Sequence, residues 1–138
     1  MSMRLNFDQM LTKEKSKRTR KPQSHEESDI QISCVKWFSL QYPRYAIFSV
    51  PNGGGRNRKE MYFLKKEGLT PGVADLVICA DNGRVLFVEM KTSKGKQSPY
   101  QKEFESKVSE LGFKYIICRS TDDFIEKVKL WVNEIRWK

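Results

Sequence analysis

A chain of 138 residues has room for one packed domain and a tail, and its 38% hydrophobic content, with 8 Phe, 5 Tyr and 3 Trp, is too rich in large apolar side chains for a disordered protein. No stretch approaches the ~18 consecutive apolar residues of a membrane span. The formal charge of +9 points to a polyanionic partner, although a merely soluble basic protein would carry the same excess.

The chain opens on MSMRLNFDQM, which lacks the apolar core and small-residue cleavage site of a secretory signal, so a cytoplasmic protein is expected. Residues 1–23 read as a basic arm: seven cations between Arg4 and Lys21 face only Asp8 and Glu14, without hydrophobic period. Contact with nucleic acid suits such an arm, and so does a plain solvated tail. The folded domain is expected over residues 24–138. Ser24 with Glu27 three residues on forms a capping-box pattern. Ile30, Cys34, Trp37 and Phe38 then recur at helical spacing, which predicts a helix over 25–41 ending before Pro43.

Residues 45–50 have strand character, and residues 51–56, with three glycines, predict a loop. A short helix over 58–67 is stopped by Gly68. Residues 75–80 and 84–91 are apolar runs of strand length joined by Asp81-Asn82-Gly83, a hairpin turn in which Asn-Gly tolerates positive φ. The unbroken run Val85-Leu86-Phe87-Val88 predicts a central strand buried on both faces. Pro99 opens a helix whose core face is Phe104, Val108 and Leu111, residues 113–119 form a further strand, and Thr121 or Asp122 caps a last helix with the stripe Phe124, Val128, Trp131 and Ile135. Helix, strand, short helix, two hairpin strands, helix, strand, helix predicts an α/β fold with a central mixed β-sheet flanked by helices.

Chemistry concentrates where the buried strand emerges. Side chains alternate along a strand, so Glu89 and Lys91 point to the same side. Antiparallel pairing across the Asp81–Gly83 turn brings Asp75, at the start of one strand, beside Glu89 at the end of the other. Two adjacent carboxylates repel unless something positive lies between them, and hard oxygen donors suit Mg²⁺ or Mn²⁺ with positions left for water and phosphate. Such an ion would polarise a phosphodiester, and Lys91 would orient the attacking water and stabilise the transition state. The plain alternative is an Asp at a strand start and a surface Glu–Lys pair.

Other features bear on partners. Asn52, Gly53 and Gly54 with Arg56, Arg58 and Lys59 could approach phosphates through backbone N–H groups and cations, as could Lys94 and Lys96, while a plain loop is the alternative. The spacing is not that of a P-loop, which argues against nucleoside-triphosphate hydrolysis. His25 is the sole histidine, which argues against histidine-based nuclease mechanisms. Cys34, Cys79 and Cys118 lie too far apart for a zinc cluster and read as buried thiols in a reducing compartment. Trp37, Phe38, Phe104 and Trp131 fall on apolar stripes and read as core, whereas Tyr100 is open to either reading.

Residues 71–75 (Pro71-Gly72-Val73-Ala74-Asp75) followed by Glu89-Met90-Lys91 resemble the active-site hairpin of the PD-(D/E)XK nuclease superfamily. More narrowly, the chain resembles the VRR-NUC family, including small stand-alone members from phages and bacteria. Glu27 with Gln31, the Pro51–Gly54 loop and Ser98-Pro99-Tyr100-Gln101 agree, so the resemblance spans residues 25–128. It implies a restriction-endonuclease-like core, with Asp75 and Glu89 as metal ligands, Lys91 as the catalytic lysine and Gln101 at the site beside the scissile phosphate or a water. It also implies a helix-borne acid, for which Glu27 competes with Glu26; Glu27 shares a helix face with Gln31, though the cap alone would explain it. Ala74 departs from the motif's proline. The implied activity is metal-dependent DNA endonuclease cleavage at flaps, junctions or branches, in repair or recombination. The implied setting is a homodimer in a bacterial or phage-infected cell. A non-catalytic DNA-binding protein keeping the fold and an RNA nuclease are the alternatives.

Overall fold

A computed structural model describes residues 25–51 and 57–134. The basic arm, Ser24 of the expected capping box, Asn52, Gly53, Gly54 and Arg56 of the glycine loop, and Ile135 of the last stripe lie outside the described residues. In chain order the elements are α1 (His25–Gln41), β1 (Ala46–Ser49), α2 (Arg58–Lys66), β2 (Leu76–Ala80), a 3-10 turn (Asp81–Gly83), β3 (Arg84–Met90), α3 (Pro99–Glu110), β4 (Lys114–Cys118) and α4 (Thr121–Asn133). Every expected element is present, with ends shifted by no more than a residue or so. None of the described helices is long and apolar enough to cross a membrane.

The described residues fall into two compact units. The smaller, residues 57–69, is α2 and its exit. Asn57 caps this helix by accepting the Glu60 N–H at 2.9 Å, and Lys65 and Lys66 sit in the last turn, where they complement the helix dipole. Arg58 and Lys59 are exposed in its first turn.

The larger unit, residues 25–51 and 70–134, holds the sheet. Its order is β1-β2-β3-β4, antiparallel between β1 and β2 and between β2 and β3, parallel between β3 and β4. The sheet is therefore mixed, and β3 is interior, as its apolar run predicts. Two successive residues of the β2–β3 turn, Asn82 (φ 61°) and Gly83 (φ 71°), adopt left-handed backbone, which favours these two residue types. The turn sets the register Ala80↔Arg84 through Leu76↔Val88.

Alternation along the strands gives the sheet two different faces. On one, Leu76, Ile78, Leu86, Val88, Met90 and Cys118 pack with Cys34 and Phe38 of α1 and Phe124, Val128 and Trp131 of α4. Burying each such large side chain contributes roughly 1.5–3 kcal/mol. On the other face α3 lies over β3 and β4: the Phe104 ring meets Phe87 edge-on at 5.3 Å and Tyr115 at 6.2 Å. Glu89 shares this second face with Phe87.

Two local expectations are corrected. The cap of α4 is Ser120, whose Oγ accepts the Asp123 N–H at 3.0 Å, and not Thr121 or Asp122. Ser120 is the last residue in extended backbone, so its hydroxyl faces the free N–H groups, while Thr121 is already helical. Leu111, expected on the core face of α3, is 70% exposed because it is the C-cap beyond the last helical residue.

Candidate active site

The hairpin register runs one step past Leu76↔Val88 to set Asp75 across from Glu89, the juxtaposition the turn implied. Asp75 precedes β2, and its Oδ2 accepts the Met90 N–H at 2.7 Å. This bond anchors the carboxylate to the end of β3. Lys91 continues the strand: its N–H donates to Cys118 O at 2.9 Å, so it keeps the alternation that puts it on the side of Glu89.

Glu89 is the one buried charged residue among those described, at 1% exposure. Its Oε1 accepts the Tyr115 hydroxyl at 2.9 Å, while Oε2 is buried without a partner. Burial, and then the hydrogen bond to Glu89, push the Tyr115 phenol far above its ordinary range, so it stays a donor. Beside them Gln97 donates Nε2 to Glu105 Oε2 at 2.7 Å.

The carboxylates form one electrostatic group. Burial raises the carboxyl of Glu89, with Tyr115 and Lys91 opposing and Asp75 adding to the rise. Burial also raises Asp75, against the Met90 N–H and Lys91. Glu27, half-buried in the first turn of α1, is raised by burial and then by Asp75, with Lys91 opposing and Glu89 adding. Glu26 is exposed. Of the two competing helix acids, the structure therefore brings Glu27 to the cluster.

Among the described residues no three His, Cys, Asp or Glu side chains form a ready-made metal cage. One oxygen of Asp75 and one of Glu89 are already engaged, by Met90 and Tyr115. What remains is one oxygen from each of two facing carboxylates, one of them buried and unpaired, in a cluster whose acids all resist ionisation. That suits an ion such as Mg²⁺ or Mn²⁺, held by one or two carboxylates and completed by water and phosphate.

Gln101 lies in the first turn of α3 and is half-buried. Its Oε1 accepts the Ser98 N–H at 2.8 Å while Ser98 Oγ accepts the Gln101 N–H at 3.2 Å, a reciprocal capping box. The motif residue Gly72 explains how this turn reaches the hairpin. At φ +82° a Cβ there would stand 2.3 Å from the Tyr100 carbonyl carbon and 2.7 Å from the Gln101 nitrogen. Only glycine lets the two backbones meet, and the contact holds the start of α3 against Gly72, three residues before Asp75. Tyr100, left open by the sequence, presents a ring 61% exposed at this point.

The segment after Lys91 carries Lys94 and Lys96, both exposed. Arg119 fastens it by donating Nη1 to Thr92 O at 2.8 Å and Gly95 O at 2.7 Å. Reading the sequence missed Arg119, Tyr115 and Gln97; none belongs to a local motif, and only the β3–β4 pairing reveals them. His25 is exposed, and the Cys34 and Cys118 thiols are buried, pushed up to about 11 and about 12 chiefly by that burial.

A family model described as the VRR-NUC domain matches residues 12–122. A solved "VRR_NUC domain protein" superposes with a TM-score of 0.62 at 20% identity, covering 78% of this chain and 88% of the other. A second, described as a "VRR_NUC domain", gives 0.55 at 17% identity over 75% of this chain and 95% of the other. At such identities the likeness is one of fold. No curated protein matches the chain.

Proposed function

We propose that this chain, which belongs to the VRR-NUC domain family and so to a family of nucleases, is a divalent-metal-dependent deoxyribonuclease that hydrolyses phosphodiester bonds at structured DNA such as flaps and junctions. The observation that carries the reading is the placement of Asp75 across from Glu89 at the mouth of the hairpin, with Lys91 emerging on the same side. A protein that only bound a polyanion would gain nothing from carboxylates turned toward it. These acids resist ionisation in the absence of a counter-charge.

The chain's own residues divide the work. Asp75 and Glu89 are fixed by Met90 and Tyr115, so neither has to reorganise when substrate arrives. A divalent cation at these carboxylates would neutralise the phosphate and activate water. The Lys91 ammonium, which favours the charged form of all three acids, would hold the attacking water and offset charge on the phosphoryl oxygens. Lys94 and Lys96 supply phosphate contacts that position the backbone without reading bases.

The test is cleavage of labelled duplex, flap, four-way-junction and single-stranded DNA, and of RNA, in Mg²⁺, Mn²⁺ or EDTA. Cutting of branched DNA that EDTA abolishes supports the reading. Cutting confined to RNA, or unaffected by EDTA, refutes it.

A further inference from the structure

Glu89 treats its two oxygens differently. Oε1 takes the Tyr115 hydroxyl at 2.9 Å, whereas Oε2 is buried and has no hydrogen-bond partner. A buried, unpaired carboxylate oxygen is costly, and a cation beside it would offset that cost. The parallel register sets Tyr115 opposite Phe87, two residues before Glu89 on the same face. The hydroxyl therefore reaches Glu89 diagonally from a strand packed under α3. Gln97 flanks the pair: its Nε2 is held by Glu105 at 2.7 Å, and its amide works to lower the proton affinity of both the Glu89 carboxyl and the Tyr115 hydroxyl.

From this asymmetry we infer that Tyr115 is a positioning residue that makes Glu89 a one-oxygen donor and thereby sets which divalent cation the site prefers. The inference rests on the metal-dependent reading above. Mg²⁺ and Mn²⁺ are satisfied by few carboxylate oxygens with water making up the rest, while Ca²⁺ takes more ligands and readily uses both oxygens of one carboxylate. With one lone pair of Oε1 taken by the Tyr115 hydroxyl, coordination through Oε2 alone is favoured over that two-oxygen grip. Tyr115→Phe frees Oε1 and keeps the ring beside Phe104.

The test is calorimetric titration of the full chain with MnCl₂ and CaCl₂, without nucleic acid, for wild type, Tyr115→Phe, Gln97→Leu and Asp75→Asn. Wild type should prefer Mn²⁺, and Tyr115→Phe should narrow the Mn²⁺-over-Ca²⁺ ratio by about tenfold, the lower end of what losing a ligand's hydrogen-bond partner does to metal affinity. Gln97→Leu should shift the ratio the same way by less. A purely structural defect would weaken both cations alike and leave the ratio unchanged. Thermal unfolding in EDTA reads folding directly; if Tyr115→Phe does not fold, the ratio in Gln97→Leu decides. An unchanged ratio, with Mn²⁺ binding lost in Asp75→Asn, would overturn the role of Tyr115 and leave the metal-dependent reading standing. Absence of any Asp75-dependent Mn²⁺ binding in wild type would overturn both.

Discussion

Asp75 and Met90 are joined by a hydrogen bond of 2.7 Å that runs from the end of one hairpin strand to the start of the other, Met90 N–H donating to Oδ2. One carboxylate oxygen is thus committed to the backbone, and the proposed cation would meet the other. Asp75→Asn keeps an acceptor for Met90, whereas Asp75→Ala leaves that N–H without one. In EDTA, Asp75→Ala should lose about 1–3 kcal/mol of stability and Asp75→Asn should not, as read by denaturant unfolding. Equal losses in the two variants would mean that the bond contributes nothing.

The same carboxylate predicts a pH dependence. Burial raises Asp75, so the folded state binds its proton more tightly than the unfolded chain does. The stabilising effect of that proton is full below the ordinary carboxylate range and is lost as pH rises through the raised folded value. In EDTA, Asp75→Asn should therefore gain stability over wild type as pH climbs from the carboxylate range to neutrality, and Mn²⁺ should reverse the order at neutral pH. Melting curves of the two proteins across that range are the check. A difference that stays constant with pH would contradict it.

Gly72 touches the Tyr100 carbonyl and the Gln101 nitrogen at distances no side chain could occupy, in left-handed backbone. Gly72→Ala must push the start of α3 away from the hairpin. It should lower the melting temperature and depress cleavage about tenfold or more, since small misplacements at a site cost orders of magnitude. Gly68→Ala, where a Cβ meets nothing within 4 Å, serves as the control for strained backbone alone.

Arg119 ties down the segment bearing Lys94 and Lys96 through Thr92 O and Gly95 O. Arg119→Ala should speed proteolytic nicking within residues 92–98 and weaken DNA binding. Lys94→Ala with Lys96→Ala should flatten the salt dependence of binding by a slope of about two, one per lost phosphate contact. Binding titrations across salt concentrations separate these outcomes; an unchanged slope would remove the two lysines from the interface.

The hairpin was legible in the sequence because its geometry is local. Asp81-Asn82-Gly83 determines the turn, the turn determines the register, and the register places Asp75 beside Glu89. The unbroken apolar run before Glu89 likewise announced an interior strand. Tyr115 was not legible, because the offset of β4 against β3 is set by a long crossover through α3 rather than by a turn. Gln97 and Arg119 act through the same crossover. Gln101 shows the opposite case: the family resemblance alone suggested it for the site, while the structure engages its side chain in a capping box with Ser98 that the sequence reading did not foresee.

The most direct test of the central claim compares Lys91→Ala and Asp75→Asn with wild type on one branched DNA substrate, measuring cleavage in Mg²⁺ and binding in EDTA on the same preparations. The account predicts a fall in cleavage of roughly 10²–10³-fold in Lys91→Ala and a comparable loss in Asp75→Asn, with affinity for DNA kept or, for Asp75→Asn, increased by removal of a negative charge. Cleavage that survives in both variants would contradict it, and place the chemistry elsewhere on the protein.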